Sequence, residues 1–266
     1  LLTDKKFRDK VVAQINDPVM KQFWIGEYNK LNERTQGEWI GSILNKVGQF
    51  VASPMIRGIL SSPTSSIDLE DVMNDGKILI ANLSQGKVGE DNAALLGAML
   101  ITKFQLAAMS RVDVTEGERR DFYLYVDEFQ NFATPDFATI LSEARKYHLN
   151  LIVANQFIGQ IDEEVKNAVF GNVGTLASFR VGVQDANFLQ HEFSPTFSES
   201  DLTNVERYHT FVKTIVDNEP MPPFSMDLTR DIDAERKLAN PKLAEMIKKL
   251  SRLKYGKDKN ILEVEI

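Results

Sequence analysis

The sequence predicts an α/β protein, and three observations predict it. Short, nearly unbroken apolar runs such as Asp121-Phe-Tyr-Leu-Tyr-Val126 and Leu149-Asn-Leu-Ile-Val-Ala154 have the length and composition of strands buried on both faces. Longer segments between them repeat apolar residues every three or four positions, as amphipathic helices do. The two kinds alternate, which implies right-handed crossovers and a parallel sheet flanked by helices.

Along the chain, the first sixty residues read as helical. Val19, Phe23, Trp24, Tyr28 and Leu31, then Trp39, Ile40, Ile43, Leu44 and Val47, recur at helical spacing and predict two amphipathic helices. The run from Ser61 to Ser66, with Pro63 inside it, is the most loop-like stretch and marks a domain boundary. After the turn signal Asn74-Asp75-Gly76, residues 77–83 predict a first strand. A helix follows over 91–111, then the charged loop 113–120 and strand 121–126. Next come a helix over 135–147, strand 149–154, a helix over 162–170, strand 174–183, a helix over 184–191 and strand 208–216. Three segments result: residues 1–66, a helical segment; 67–232, the α/β core; and 233–266, a basic helical tail.

Composition removes several classes of function. Of 266 residues, 43% are hydrophobic and 26% charged, too apolar for a disordered polymer. With no Cys there is no disulfide framework, thiolate metal site or cysteine nucleophile, and three scattered His do not make a histidine metal centre. The longest apolar run, 93–101, is half a bilayer span. The net charge of −7 argues against a protein that coats nucleic acid, but it hides an asymmetry. Residues 236–259 carry nine basic side chains against two acidic ones, a balance of +7, whereas residues 1–235 stand at −12. Such a tail either touches phosphate or an acidic partner, or is a solvated helix face.

In open parallel sheets ligands bind beyond the carboxyl ends of the strands, so strand ends are where chemistry is sought. One strand runs into Asp127-Glu128 and the next into Asn155-Gln156. Adjacent carboxylates after a buried strand suit nucleotide hydrolysis: Asp127 can hold a hydrated Mg²⁺ against phosphates, and Glu128 can orient and polarise the attacking water. Gln156 can hydrogen-bond both water and phosphate. Arg145, near the end of the intervening helix, suits an arginine finger reaching across a subunit boundary, or a cation complementing the helix C-terminus. Arg180, expected inside an apolar strand, is a second finger candidate or an ion-pair partner for Asp185. The loop from Arg111 to Arg120 either contacts DNA phosphates or is a solvated connector.

Leu124-Tyr-Val-Asp-Glu-Phe129, Arg145 and Asn155-Gln-Phe-Ile-Gly-Gln160, in that order, resemble the C-terminal half of the motor domain of conjugative type IV secretion coupling proteins of the TraG/TraD class, relatives of the FtsK/HerA DNA-pumping ATPases. Asn82-Leu-Ser84 and Ser178 to Ala186 extend the likeness, and the N-terminal helices are similar to the end of the helical insertion in such motors. The resemblance implies a RecA-like P-loop NTPase core within a hexameric ring, with ATP and Mg²⁺ as cofactors and DNA, single- or double-stranded, as cargo. It implies secretion-channel or relaxosome proteins as partners, and a cytoplasmic location at the inner face of the cell membrane, reached through segments outside this chain. Asp127 and Glu128 then correspond to the Walker B pair, Gln156 to the sensor and Arg145 to the finger. One departure is large: no Gly-x-x-x-x-Gly-Lys-Ser/Thr occurs, and Gly76-Lys77, Gly86-Lys87 and Gly256-Lys257 lack both the spacing and the hydroxyl residue. Together with Leu1 in place of a start methionine, this leads us to expect the distal part of a longer protein, inactive as an ATPase by itself. The alternatives are a HerA-like DNA pump and a catalytically silent RecA-like interaction module.

Overall fold

The structure is a computed structural model that describes residues 1–60, 62 and 64–258, apart from the side chains of residues 46, 49–51, 135, 136, 138 and 142. Ser61 and Pro63 of the expected boundary loop, and Lys259 of the basic run, lie outside the described residues. The chain divides into two compact units, one built on Leu1–Thr64 and the other on Ser65–Lys257.

The first unit holds helices α1 (Lys5–Ala13), α2 (Pro18–Gln22), α3 (Glu33–Ala52) and α4 (Pro54–Leu60). Asp4, Asp17 and Asn32 cap the first three, each side chain accepting a backbone N–H, and Pro18 takes the first helical position, where no N–H is needed. Its small core is Val12, Trp24 and Tyr28. Arg8 is buried beside it because its guanidinium donates to Asn29 Oδ1 at 3.0 Å and to the Leu1 and Leu2 carbonyls at 3.2 Å, and lies over the Tyr28 ring.

The second unit begins with α5 (Leu69–Asn74), α6 (Gln85–Val88) and α7 (Glu90–Met109) and continues with β1 (Phe122–Val126), α8 (Pro135–Glu143), β2 (Leu149–Val153) and α9 (Glu163–Asn172). It ends with β3 (Thr175–Ser178), α10 (Val183–Phe193), α11 (Glu199–Thr203), β4 (His209–Val216), β5 (Glu219–Pro220), β6 (Phe224–Asp227), α12 (Ile232–Leu238) and α13 (Pro241–Tyr255). The α/β class is as expected. β1 and β2 pair in parallel, Phe122 opposite Leu149 and Val126 opposite Val153. Against them pack Val72 and Met73 of α5, Ile101, Phe104 and Ala108 of α7, Phe137 and Ile140 of α8, and Val165 and Val169 of α9. Residues Glu90–Asp113 are long and apolar enough to cross a membrane by length and composition, so the longest apolar run understated this segment; Ile101, Phe104 and Ala108 nevertheless lie in the core.

Three differences from the sequence expectation have physical causes. First, residues 77–83 form no strand. Gly76, at φ +63°, ends α5 in a Schellman motif, with Gly76 N–H donating to the Met73 carbonyl and Lys77 N–H to that of Val72. The chain beyond it lies unpaired, leaving Ile78 91% and Ile80 89% exposed. Second, β3 stops at Ser178, short of the expected residue 183, because Gly182 turns the chain into α10. Third, β3, β4 and β6 pair antiparallel, so only β1 and β2 form the expected parallel arrangement among the described residues. The hairpin between β4 and β5 turns on Asp217 and Asn218, both at positive φ, as a two-residue turn of the primed type requires.

Candidate functional site

The site is built where β1 and β2 stop. The parallel ladder runs on past both strands, with Ala154 N–H donating to the Val126 carbonyl at 3.0 Å and Phe129 N–H to the Ala154 carbonyl at 2.9 Å. Asp127-Glu128 and Asn155-Gln156 are thus held side by side. Between Val126 and the short turn at Phe129, Glu128 takes a left-handed conformation, φ 49° and ψ 45°, unusual for a residue with a Cβ. The Asp127 Oδ1 accepts the Glu128 N–H at 3.0 Å and secures that turn.

This conformation places the Glu128 carboxylate between two amides. Gln156 Nε2 donates to Oε1, and Gln130 Nε2 donates to Oε2 at 2.7 Å. Two donors on one carboxylate fix its orientation. Sequence reasoning places Glu128 and Gln156 in one site, with Gln156 bonding water and phosphate; in the structure the Gln156 amide meets the Glu128 carboxylate directly. Gln130 is the residue it missed; the available signal was an amide two positions after the glutamate, close enough to fold back on it.

Asp127 and Glu128 open into a cavity of about 1100 Å³ between the extended segment 79–85, α7 and the unpaired edge of β1. Ala93, Gly97, Ile101 and Phe104 of α7 form its apolar wall. Asp127 itself is exposed, and with Oδ1 turned to the backbone its Oδ2 faces no protein donor among the described residues. A single carboxylate of this kind fits Mg²⁺, which keeps most of its water and takes one or two carboxylates together with phosphate. No cluster of three His, Asp or Glu side chains suited to a metal occurs among the described residues.

Arg145 and Arg180 are not part of this constellation. Arg145 lies in the turn 144–147, just before the amino end of β2, and is exposed. It stands at the opposite end of the strand from Gln156, so within one chain it is directed away from the carboxylates. Arg180 is not in a strand, as expected, but in the exposed connection between β3 and α10. It forms no ion pair with Asp185; that carboxylate is buried and accepts the Ile158 N–H at 3.3 Å.

Two arginines of the 111–120 loop, Arg111 and Arg119, have structural roles, while Arg120 is exposed. Arg111 is fully buried, and its Nη1 donates to the Arg120 carbonyl at 3.0 Å and the Tyr147 carbonyl at 3.1 Å, tying the starts of β1 and β2 to the end of α7. Burial lowers the pKa of this guanidinium. Arg119 donates to the carbonyls of Arg111, Val114 and Lys146 and lies over the Tyr147 ring.

A parallel strand pair that ends in an acid and amide cluster, backed by helices, defines the class: an α/β protein with a strand-end polar site. Residues 121–221, which contain that cluster, match the family described as the TraM recognition site of TraD and TraG. Among solved structures the chain is similar to the bacterial conjugative coupling protein TrwBdeltaN70 in an unbound monoclinic form, with a TM-score of 0.41 and 13% identity over 52% of this chain and 39% of that one. It is also similar to the plasmid coupling protein TrwB in complex with the non-hydrolysable GTP analogue GDPNP, with a TM-score of 0.41 and 14% identity over 52% of this chain and 38% of that one. The chain therefore spans less than two thirds of either of these two structures. A search of curated proteins gives no match.

Proposed function

We propose that this chain forms part of an ATP-driven DNA-translocating motor of the coupling-protein type, delivering DNA or a nucleoprotein to a type IV secretion channel. The observation that carries this reading is the Glu128 carboxylate, held between Gln130 and Gln156 beside Asp127 at the carboxyl ends of paired parallel strands. The TraG/TraD character of residues 121–221 supports the conjugative setting and a relaxosome protein as partner.

In this reading Asp127 would hold a hydrated Mg²⁺, which would offset the charge of the phosphates of ATP, the substrate whose terminal phosphoryl group passes to water. Glu128 accepts a proton from water; its two amide donors fix the direction in which it does so. Gln156, bonded to Glu128, links the occupied state of the phosphate site to that base. Arg145 serves a neighbouring copy in a ring, since in its own chain it stands at the far end of β2. The full-length protein then works on the cytoplasmic side of the cell membrane.

The test is Glu128→Gln in the protein together with whatever segment grips the triphosphate. It should bind ATP normally and lose turnover by about 10²–10⁴-fold. Unchanged turnover removes Glu128 as the base. The silent-module reading is favoured by one observation, the absence of a phosphate-loop motif from this sequence. Turnover by this chain alone at stoichiometric Mg–ATP would refute the expectation that it is inactive in isolation.

A further inference from the structure

Helix α13 has no use in the motor reading, and it is the most sharply amphipathic element in the chain. Asn240 caps it, its Oδ1 accepting the Leu243 N–H at 3.0 Å, and Pro241 takes its first position, so it starts by design of the sequence. None of its residues is buried. Leu243, Met246, Ile247, Leu250 and Leu253 are each at least half exposed. At 100° per residue they fall within an arc of about 120°. Lys242, Lys248, Lys249 and Arg252 occupy the rest of the surface with a single acid, Glu245, which is paired to Lys248 at 2.7 Å. Lys254 falls inside the arc in the last turn, its ammonium lying over the Tyr255 ring at 5.1 Å.

Each candidate partner meets this face differently. Nucleic acid would satisfy the cations but offers nothing to five exposed aliphatic side chains. A second copy packing through Leu243, Met246, Leu250 and Leu253 as a heptad seam would set Lys249 against Lys254, a like-charge pair at the flank, and would have only two heptads to hold it. An acidic groove could take the stripe, but it would leave Lys237 of the preceding α12 unmatched, Arg236 being paired with Asp233 at 3.5 Å. A sheet of negative charge over an apolar interior matches all of these features at once, and needs no register. Clusters of four to eight Lys and Arg on an amphipathic helix are the recognised pattern for anionic lipid. The rest of the chain, at −12 over residues 1–235, is repelled by such a surface.

We propose that α13, with the adjacent basic residues of α12, docks in the interface of an anionic lipid bilayer, its leucine stripe facing the acyl chains and its lysines facing the headgroups. This goes beyond the motor reading and does not depend on it. The experiment is sedimentation of the whole chain with vesicles of phosphatidylcholine alone or with about one third phosphatidylserine. Binding should be at least about tenfold greater to the anionic vesicles and fall with added salt. The double variant Lys248→Glu/Lys249→Glu should lose about tenfold or more of that binding. Leu250→Trp should report insertion by a blue shift in fluorescence with anionic vesicles only. Because Lys248, Lys249 and Leu250 are exposed among the described residues, these variants should melt at the temperature of the parent, which separates lost docking from lost folding. Equal binding to neutral vesicles, or none to anionic ones, overturns the proposal. So does a fluorescence shift produced only by a soluble Glu-flanked leucine-heptad peptide, which assigns the face to an acidic helical partner, or only by duplex DNA.

Discussion

Glu128 shows how much one backbone conformation can decide. Its left-handed turn reverses the side chain's direction relative to the strand before it, and that reversal brings both carboxylate oxygens within reach of glutamine amides. A hydrogen bond to a charged group contributes about 1.5–3 kcal/mol, so loss of either donor frees a group whose aim matters. Gln130→Ala should therefore lower ATP turnover by about tenfold with little change in KM, measured in the ATP-hydrolysing form of the protein. Asp127, Glu128 and Gln156 could be picked out in the sequence because they stand immediately after apolar runs. Gln130 could not, since its role depends on a turn that no periodicity announces. Arg111 is the converse case: in the sequence it belongs to a charged loop, while in the folded chain it is buried and satisfies two carbonyls. Which arginine meets solvent is decided by what packs around it.

At the scale of elements, caps and close contacts set stability. The capping box of α11 has Ser198 and Asp201 exchanging bonds, and those bonds, from the Ser198 hydroxyl first and its backbone N–H second, lower the Asp201 pKa. A depressed folded pKa adds stability at pH values above the unfolded carboxyl pKa, and that contribution disappears as pH falls through the folded value. Asp201→Asn should thus flatten the acid limb of the thermal-stability profile, with melting temperatures converging on the parent's at low pH. In α7, a Cβ at Gly97 would sit 2.2 Å from the Phe132 ring. Gly97→Ala should cost about 1–3 kcal/mol by overpacking and shift Phe132 at the wall of the cavity, as denaturant unfolding will show. The longer helices and strands β1 to β4 were legible because their periods are local properties, whereas the short α5, α6, α11, β5 and β6 span too few residues to show one. Residues 77–83 have the composition of a strand and fail to be one here, because a strand exists only when a neighbouring edge pairs with it.

For the whole molecule, the cores of the second unit carry its stability. Phe104 is 2% exposed and stacks on Phe122 at 5.2 Å; Phe104→Ala should cost about 3–5 kcal/mol, read as a lowered midpoint in denaturant. The acidic body and basic tail were visible in charge arithmetic alone. The sequence by itself determined the α/β class, the order of most elements, the acidic and amide residues at two strand ends and the amphipathic character of α13, since all of these follow from composition and short-range spacing. Only the tertiary structure decided which residues meet. It joined Glu128 to Gln156 and Gln130, put Arg145 at the opposite end of β2, left Arg180 outside any strand, buried Arg111 and paired β3 antiparallel with β4. Apart from the local Glu128–Gln130 bond, these depend on contacts between residues distant in the chain, and the energy of such contacts is set by burial and pairing rather than by local sequence.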